Sequence, residues 1–259
     1  MSGVNEDVPS ALVWRFAGGA VLAGLALVSG TAALEHVTPT PLAWRWTLGA
    51  AAALCLQFGF CYYHLDANRT EGGTTFPTVG AANAVTLGRG GLLAVVAGCL
   101  LIEPDPFAPL AWLPALCYGA SAALDALDGI VARATERVTV LGTRLDMAFD
   151  TFGFLIAPLV GVLWGQLPVW YLSLSVARYL FKAGRGLRRY RGKPVYDLPE
   201  SRLRRPLAGL QMVFITVALA PVVPFALARV AAAVVLVPSL AVFVRDYLAI
   251  NGRWHNSQT

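Results

Sequence analysis

Four aspartates, Asp125, Asp128, Asp146 and Asp150, stand within 26 residues of an otherwise apolar chain. Gly129, Ala132, Arg133 and Gly142 run among them, in the spacing D-x2-D-G-x2-A-R-x8-G-x3-D-x3-D. A carboxylate at the centre of a membrane helix costs roughly 2.5–3.5 kcal/mol on insertion scales. Four kept together therefore point to a bound ligand, and oxygen donors of this kind suit hard divalent cations. A solvated loop would not interleave its acids with Leu, Ile, Val, Met and Phe, as this stretch does.

The spacing says how the acids could meet. In a helix over 124–134, Asp125, Asp128, Gly129 and Ala132 fall at i, i+3, i+4 and i+7, on one face. Arg133 lies at the edge of that face. Gly129 and Ala132 carry almost no side chain, so a ligand can lie close against them. Gly142, Asp146 and Asp150, at i, i+4 and i+8, share a face of a second helix. Two such helices facing each other gather four carboxylates around a small gap.

This pattern resembles the signature of the CDP-alcohol phosphatidyltransferases, and each of its eight positions is filled. The resemblance implies a six-helix membrane unit with the signature running from its second helix into its third, here 108–133 and 142–166. It implies transfer of a phosphatidyl-type group from a CDP-linked lipid to an alcohol acceptor, with release of CMP. By the family's pattern Asp125, Asp128 and Asp146 bind metal. Asp150 is the general base for the acceptor hydroxyl and touches the second metal. Gly129, Ala132 and Gly142 line the cytidine site, and Arg133 pairs with an aspartate or with the diphosphate. Two divalent ions about 3.5–4 Å apart would stabilise the transferring and departing phosphates, and an oxygen-only ligand set favours Mg²⁺ or Mn²⁺ over zinc. Asn83, Thr86 and Arg89, in Asn-Ala-Val-Thr-Leu-Gly-Arg, are similar to the opening of the family's first core helix and suggest a role near the nucleotide. Family members often pair as homodimers.

The elements that must hold these residues are membrane helices. The chain is 57% hydrophobic and 14% charged, against about 25% charged in a soluble domain. Apolar stretches of about 20 residues are long enough to span. They occur near 12–34, 42–64, 84–102, 108–127, 146–166, 167–184, 206–227 and 229–249, which predicts an all-α, polytopic bundle of about eight spans. The first stretch is too long for a signal peptide, and Glu6 and Asp7 precede it rather than bases. Residues 66–82 break the composition. They separate an N-terminal hairpin (1–65) from a six-helix catalytic unit (83–250), which a short tail (251–259) follows. Ala20/Gly24 and Gly90/Ala94 read as close helix-packing positions.

Charge sets the expected orientation. Nine bases lie in 182–205, and Arg133, Arg137 and Arg144 flank the motif, whereas 103–107 holds Glu103, Asp105 and no base. Basic loops stay in the cytoplasm, so the acids are expected on the cytoplasmic side. The basic segment touches anionic lipid heads or binds an anionic co-substrate. With Arg178 and Lys182 near the acids and Arg204 and Arg205 following, it favours a phosphorylated acceptor such as glycerol 3-phosphate or inositol phosphate.

Other chemistries find little support. Cys55, Cys61, Cys99 and Cys117 lie inside predicted spans without metal spacing, and His36, His64 and His255 are scattered. Gly88-Arg-Gly-Gly91 lacks the ending of a phosphate-binding loop, and the basic segment does not suit nucleic-acid readout. Asn68-Arg69-Thr70 matches a glycosylation sequon on the side where modification does not occur. A membrane prenyltransferase also uses Asp-rich motifs and Mg²⁺, but its two clusters usually lie far apart in sequence. Only 18 residues separate Asp128 from Asp146. A cation-binding transporter would use intramembrane acids without the Gly, Ala and Arg positions. Release of CMP from a CDP-lipid separates the three.

Overall fold

The computed structural model describes residues 8–103, 105–134, 138–196, 198 and 201–252, with the backbone alone for 128–134. Among them are eight α-helices and no strand. In chain order they are α1 (Ser10–Glu35), α2 (Thr40–Tyr63), α3 (Ala81–Gly98), α4 (Leu113–Ala134), α5 (Val140–Leu163), α6 (Ser173–Tyr190), α7 (Arg204–Ala218) and α8 (Phe225–Ile250). The all-helical bundle agrees with the sequence expectation.

Five segments are long and apolar enough to cross a membrane: Ser10–Glu35, Ala81–Leu101, Pro109–Leu127, Val140–Leu163 and Phe225–Ile250. The protein is an integral membrane protein. Of the other three helices, α6 carries five bases, α7 has only 15 residues, and α2 includes Arg45 and Gln57. Leu22, Leu25, Val230 and Val234 point outward from α1 and α8, the side-chain type that a lipid face requires.

Local chemistry sets the helix ends. Thr139 caps α5: its Oγ1 accepts from the Gly142 amide at 2.9 Å. The charged turn Gly142–Asp146 is therefore helical, and α5 begins six residues before the predicted span at 146. Similarly α6 continues past the predicted end at 184, through Arg185, Arg188 and Arg189, because arginine is a good helix former. Gly165 and Gly192 adopt positive φ of 69° and 63° just beyond α5 and α6. There Gln166 N reaches Gly161 O at 2.8 Å and Lys193 N reaches Arg188 O at 2.9 Å, closing each helix in the left-handed turn that glycine permits.

Helices α3 and α5 form the centre. Leu93 and Val96 of α3 pack with Leu145, Phe149, Phe154 and Ala157 of α5, all buried. Helix α4 packs on α3, α7 on α4 and α8, and α6 on α5 and α8. Gly90 permits the close approach of α3 to α5, since a Cβ there would lie 2.7 Å from the Phe149 ring. That agrees with its expected packing role. Gly24 does not follow the expectation: it is exposed, with no neighbour within 4 Å, because α1 lies at the periphery.

The N-terminal hairpin is attached through α2. The Trp46 ring lies where a Cβ on Gly98 would sit, and its Nε1 donates to Val95 O at 3.1 Å. Pro158 interrupts α5, and without an amide it cannot bond the Phe154 carbonyl four residues back. The hydroxyl of Ser175 in α6 donates to that carbonyl at 2.5 Å, so the break in one helix becomes a contact with the next.

Candidate active site

Three of the four motif aspartates converge. Asp125 comes from α4, and Asp146 and Asp150 from consecutive turns of α5. Their carboxylate oxygens lie within 4.8 Å of one another, and the side chains are 29%, 47% and 31% exposed. The side chains of Asp128, Gly129, Ala132 and Arg133 lie outside the described residues; their backbone continues α4.

One cation from α3 joins the three acids. The guanidinium of Arg89, buried to 2% exposure, holds Asp125 Oδ1 at 2.6 Å and Asp146 Oδ1 at 2.8 Å through Nη1. Its Nη2 pairs with Asp150. Arg89, which the sequence places near the nucleotide, contacts the carboxylates themselves. No local pattern reports these pairs, because Arg89 is 57 and 61 positions from Asp146 and Asp150.

Among the described side chains of the cluster, carboxylates outnumber the guanidinium three to one. The donors are all oxygen, close together and partly open, which suits a hard divalent cation, and they lack the sulfur and nitrogen of a structural zinc site.

Asn83 and Gly142 meet at the end of the same helices. Asn83 is buried and donates to Asn68 Oδ1 at 3.3 Å and to Thr139 Oγ1 at 3.1 Å. Its Oδ1 occupies the space that a Cβ on Gly142 would need. Asn68 in turn donates to the carbonyls of Phe76 and Thr78 at 3.0 and 2.9 Å, and Val140 N bonds Arg69 O at 2.9 Å. The 66–80 connection is thereby tied down over the ends of α3 and α5. The sequon asparagine is buried, with both amide hydrogens engaged. Thr86 is buried and its hydroxyl donates to Ala82 O at 3.1 Å.

A second polar cluster lies beside the first. A cavity of about 230 Å³ between α6, α7 and α8 is lined by Arg178, Arg204, Gln211, Ser239 and Asp246. Arg204 grips Asp246 with bonds of 2.6 and 2.9 Å, and Arg245 adds two more of 3.1 and 2.9 Å. Arg178 stacks 3.6 Å above the Phe154 ring, and its buried Nε has no hydrogen-bond partner among the described residues. Arg178 also lies within electrostatic reach of Asp150. Lys182, one turn on, donates to Thr151 Oγ1 and to Met147 O, fastening α6 to the helix that bears Asp150. Of the bases singled out in sequence, Arg178, Lys182 and Arg204 gather here, and Arg205 is exposed.

No curated protein and no solved structure matches the chain. Residues 79–244, which hold the aspartate motif, Arg89 and Arg178, match the family model described as CDP-alcohol phosphatidyltransferase. With more than half of its length matched, the chain belongs to the CDP-alcohol phosphatidyltransferase family, phosphotransferases of phospholipid biosynthesis.

Proposed function

We propose that this chain transfers a phosphatidyl-type group from a CDP-linked lipid to a phosphorylated alcohol such as glycerol 3-phosphate or inositol phosphate, releasing CMP. The observation that carries this reading is the pairing of an acid cluster with a neighbouring cationic cavity. Asp125, Asp146 and Asp150 suit the donor's diphosphate with its cations. Arg178 and Arg204 line a space that suits a small anion-bearing alcohol.

Two divalent ions, Mg²⁺ or Mn²⁺, supply charge stabilisation at the phosphates when bound. Asp125, Asp128, Asp146 and Asp150 hold them, with Arg89 fixing three of these carboxylates. Asp150 accepts the proton of the acceptor hydroxyl. That oxygen bonds phosphorus as the phosphorus–oxygen bond to CMP breaks. Gly129 and Ala132 leave room for the cytidine, and Gly142, whose bare face takes Asn83, borders it. Asn83 and Thr86 support that wall from α3, and Arg133 meets the diphosphate. Arg178 recognises the acceptor's phosphate, since a guanidinium suits that oxyanion.

Purified protein given a CDP-lipid, Mg²⁺ and a panel of alcohols tests the reading through CMP and product mass. Phosphorylated acceptors should turn over, and chelation should abolish the reaction. Asp150→Asn should lose about 10²–10⁴-fold in turnover while still binding CDP-lipid with metal. Arg178→Gln should raise KM for the acceptor far more than for the CDP-lipid. Turnover of serine with none of glycerol 3-phosphate or inositol phosphate would overturn the acceptor assignment. Full activity in chelator would overturn the metal assignment.

The acid cluster faces the cytoplasm in this reading, because the bases of α6 and the segment after it are retained there. A cysteine placed at Leu187 should be shielded from a membrane-impermeant reagent in intact cells, and one at Asp105 should react. The reverse pattern inverts the orientation.

A further inference from the structure

Tyr118 of α4 is 3% exposed. Its hydroxyl is sealed from solvent and has no hydrogen-bond partner among the described residues. A buried phenol without a partner costs free energy that a phenylalanine would avoid, and native proteins seldom leave such groups unmatched.

The setting of this hydroxyl indicates its use. Tyr118, Ser121 and Asp125 lie at i, i+3 and i+7, on one face of α4. All three line a cavity of about 10 Å³ that also touches Arg89 and Asp150. Roughly that volume accommodates one water-sized oxygen. Tyr118 lies within electrostatic reach of Asp150, Arg178, Arg89 and Asp125. Gly153 of α5 lies against the ring, at a place where a Cβ would stand in ordinary contact, 3.5 Å, with Tyr118 Cε2.

We infer that Tyr118 positions the acceptor's attacking hydroxyl, an inference that rests on the proposed transfer reaction. The phenol O–H donates to one lone pair of the acceptor oxygen. The acceptor's own O–H points to Asp150, which takes the proton. The second lone pair forms the bond to phosphorus as CMP departs. A hydroxyl held from two sides presents one direction of attack, and such orientation lowers the barrier. A water molecule offers the same oxygen chemistry. If it took the place of the alcohol, the products would be CMP and the lipid phosphate from hydrolysis.

Tyr118→Phe tests this, because it removes only the hydroxyl. In detergent the variant should melt at or above the wild-type temperature, since no protein hydrogen bond is lost. CDP-lipid affinity with Mg²⁺ should be unchanged. Transfer to a phosphorylated alcohol should fall about tenfold, the effect of one lost hydrogen bond, and hydrolysis should form a larger share of the CMP released. Unchanged transfer overturns the inference and leaves the proposed function intact. A tenfold fall in hydrolysis with transfer unchanged overturns it too, assigning the position to water. A drop in melting temperature that accounts for the loss of rate overturns it in favour of a structural role. A wild-type protein that releases no CMP with any alcohol overturns the proposed reaction, and this inference with it.

Discussion

Among the described residues, two arginine–aspartate clusters have inverse composition. Between α3, α4 and α5, one arginine serves three aspartates. Between α6, α7 and α8, one aspartate, Asp246, serves Arg204 and Arg245, with Arg178 beside them. Both are set among apolar helices, where an ion is costly without partners. The first cluster has the composition of a cation site and the second that of an anion site. Arg178 lies within electrostatic reach of Asp150 in the first cluster and lines the cavity of the second. In the proposed transfer, two phosphate-bearing substrates, one with metals and one without, would need such a pair of neighbours. A single cluster of balanced charge would attract neither.

Removing Arg89 should break this contrast most severely. Arg89→Met leaves Asp125, Asp146 and Asp150 to repel one another within 4.8 Å. The stranded acids are 29–47% exposed and partly rehydrated, so without divalent cations the variant should lose about 3 kcal/mol, the low end for a broken buried pair. Mg²⁺ should restore much of it, so the melting temperature should rise more on adding Mg²⁺ than in the wild type. A wild-type melting temperature in chelator would show that Arg89 does not hold the acids together.

The second cluster should respond less, and without relief from Mg²⁺. Asp246 is 8% exposed, but Arg204 and Arg245 are 32% and 25% exposed and can be rehydrated. Asp246→Asn should therefore cost about 1.5–3 kcal/mol, as for lost hydrogen bonds to a charge. Mg²⁺ should not restore that loss. The cavity becomes more positive, so KM for a phosphorylated acceptor should hold or fall. Arg245→Ala should be smaller still, at about 0.2–1 kcal/mol. Thermal unfolding and acceptor kinetics check both variants, and a raised KM in Asp246→Asn would mean that the carboxylate itself binds the acceptor.

The two clusters were unequally legible in the sequence. The acids of the first are i, i+4 neighbours or a short connection apart, so helical spacing alone brought them together. Arg89 was visible as a motif residue, but its partners come from helices much later in the chain, and no periodicity reports that. The same applies to Asn83, whose bond to Thr139 crosses 56 positions. The cap at Thr139 went unread because the helical spacing of Gly142, Asp146 and Asp150 marks a face and not where the helix begins. Arg178 and Arg204 stood out as bases near a span, but nothing local linked either to Asp246. Tyr118 carried no signal, since a tyrosine in an apolar helix reads as core until its hydroxyl is seen without a partner.

The position of Arg89 also bears on how the protein is made. It stands midway along α3, in one of the segments long and apolar enough to cross a membrane. Its nearest partner in sequence, Asp125, emerges from the ribosome 36 residues later, and Asp146 and Asp150 later still. During that interval α3 offers the membrane a guanidinium without its acids, at roughly 2.5–3.5 kcal/mol if centred. Helix α3 should therefore integrate poorly alone and well when α4 and α5 follow. The bonds that arrange the carboxylates in the finished enzyme thus make α3, α4 and α5 a single unit of membrane insertion.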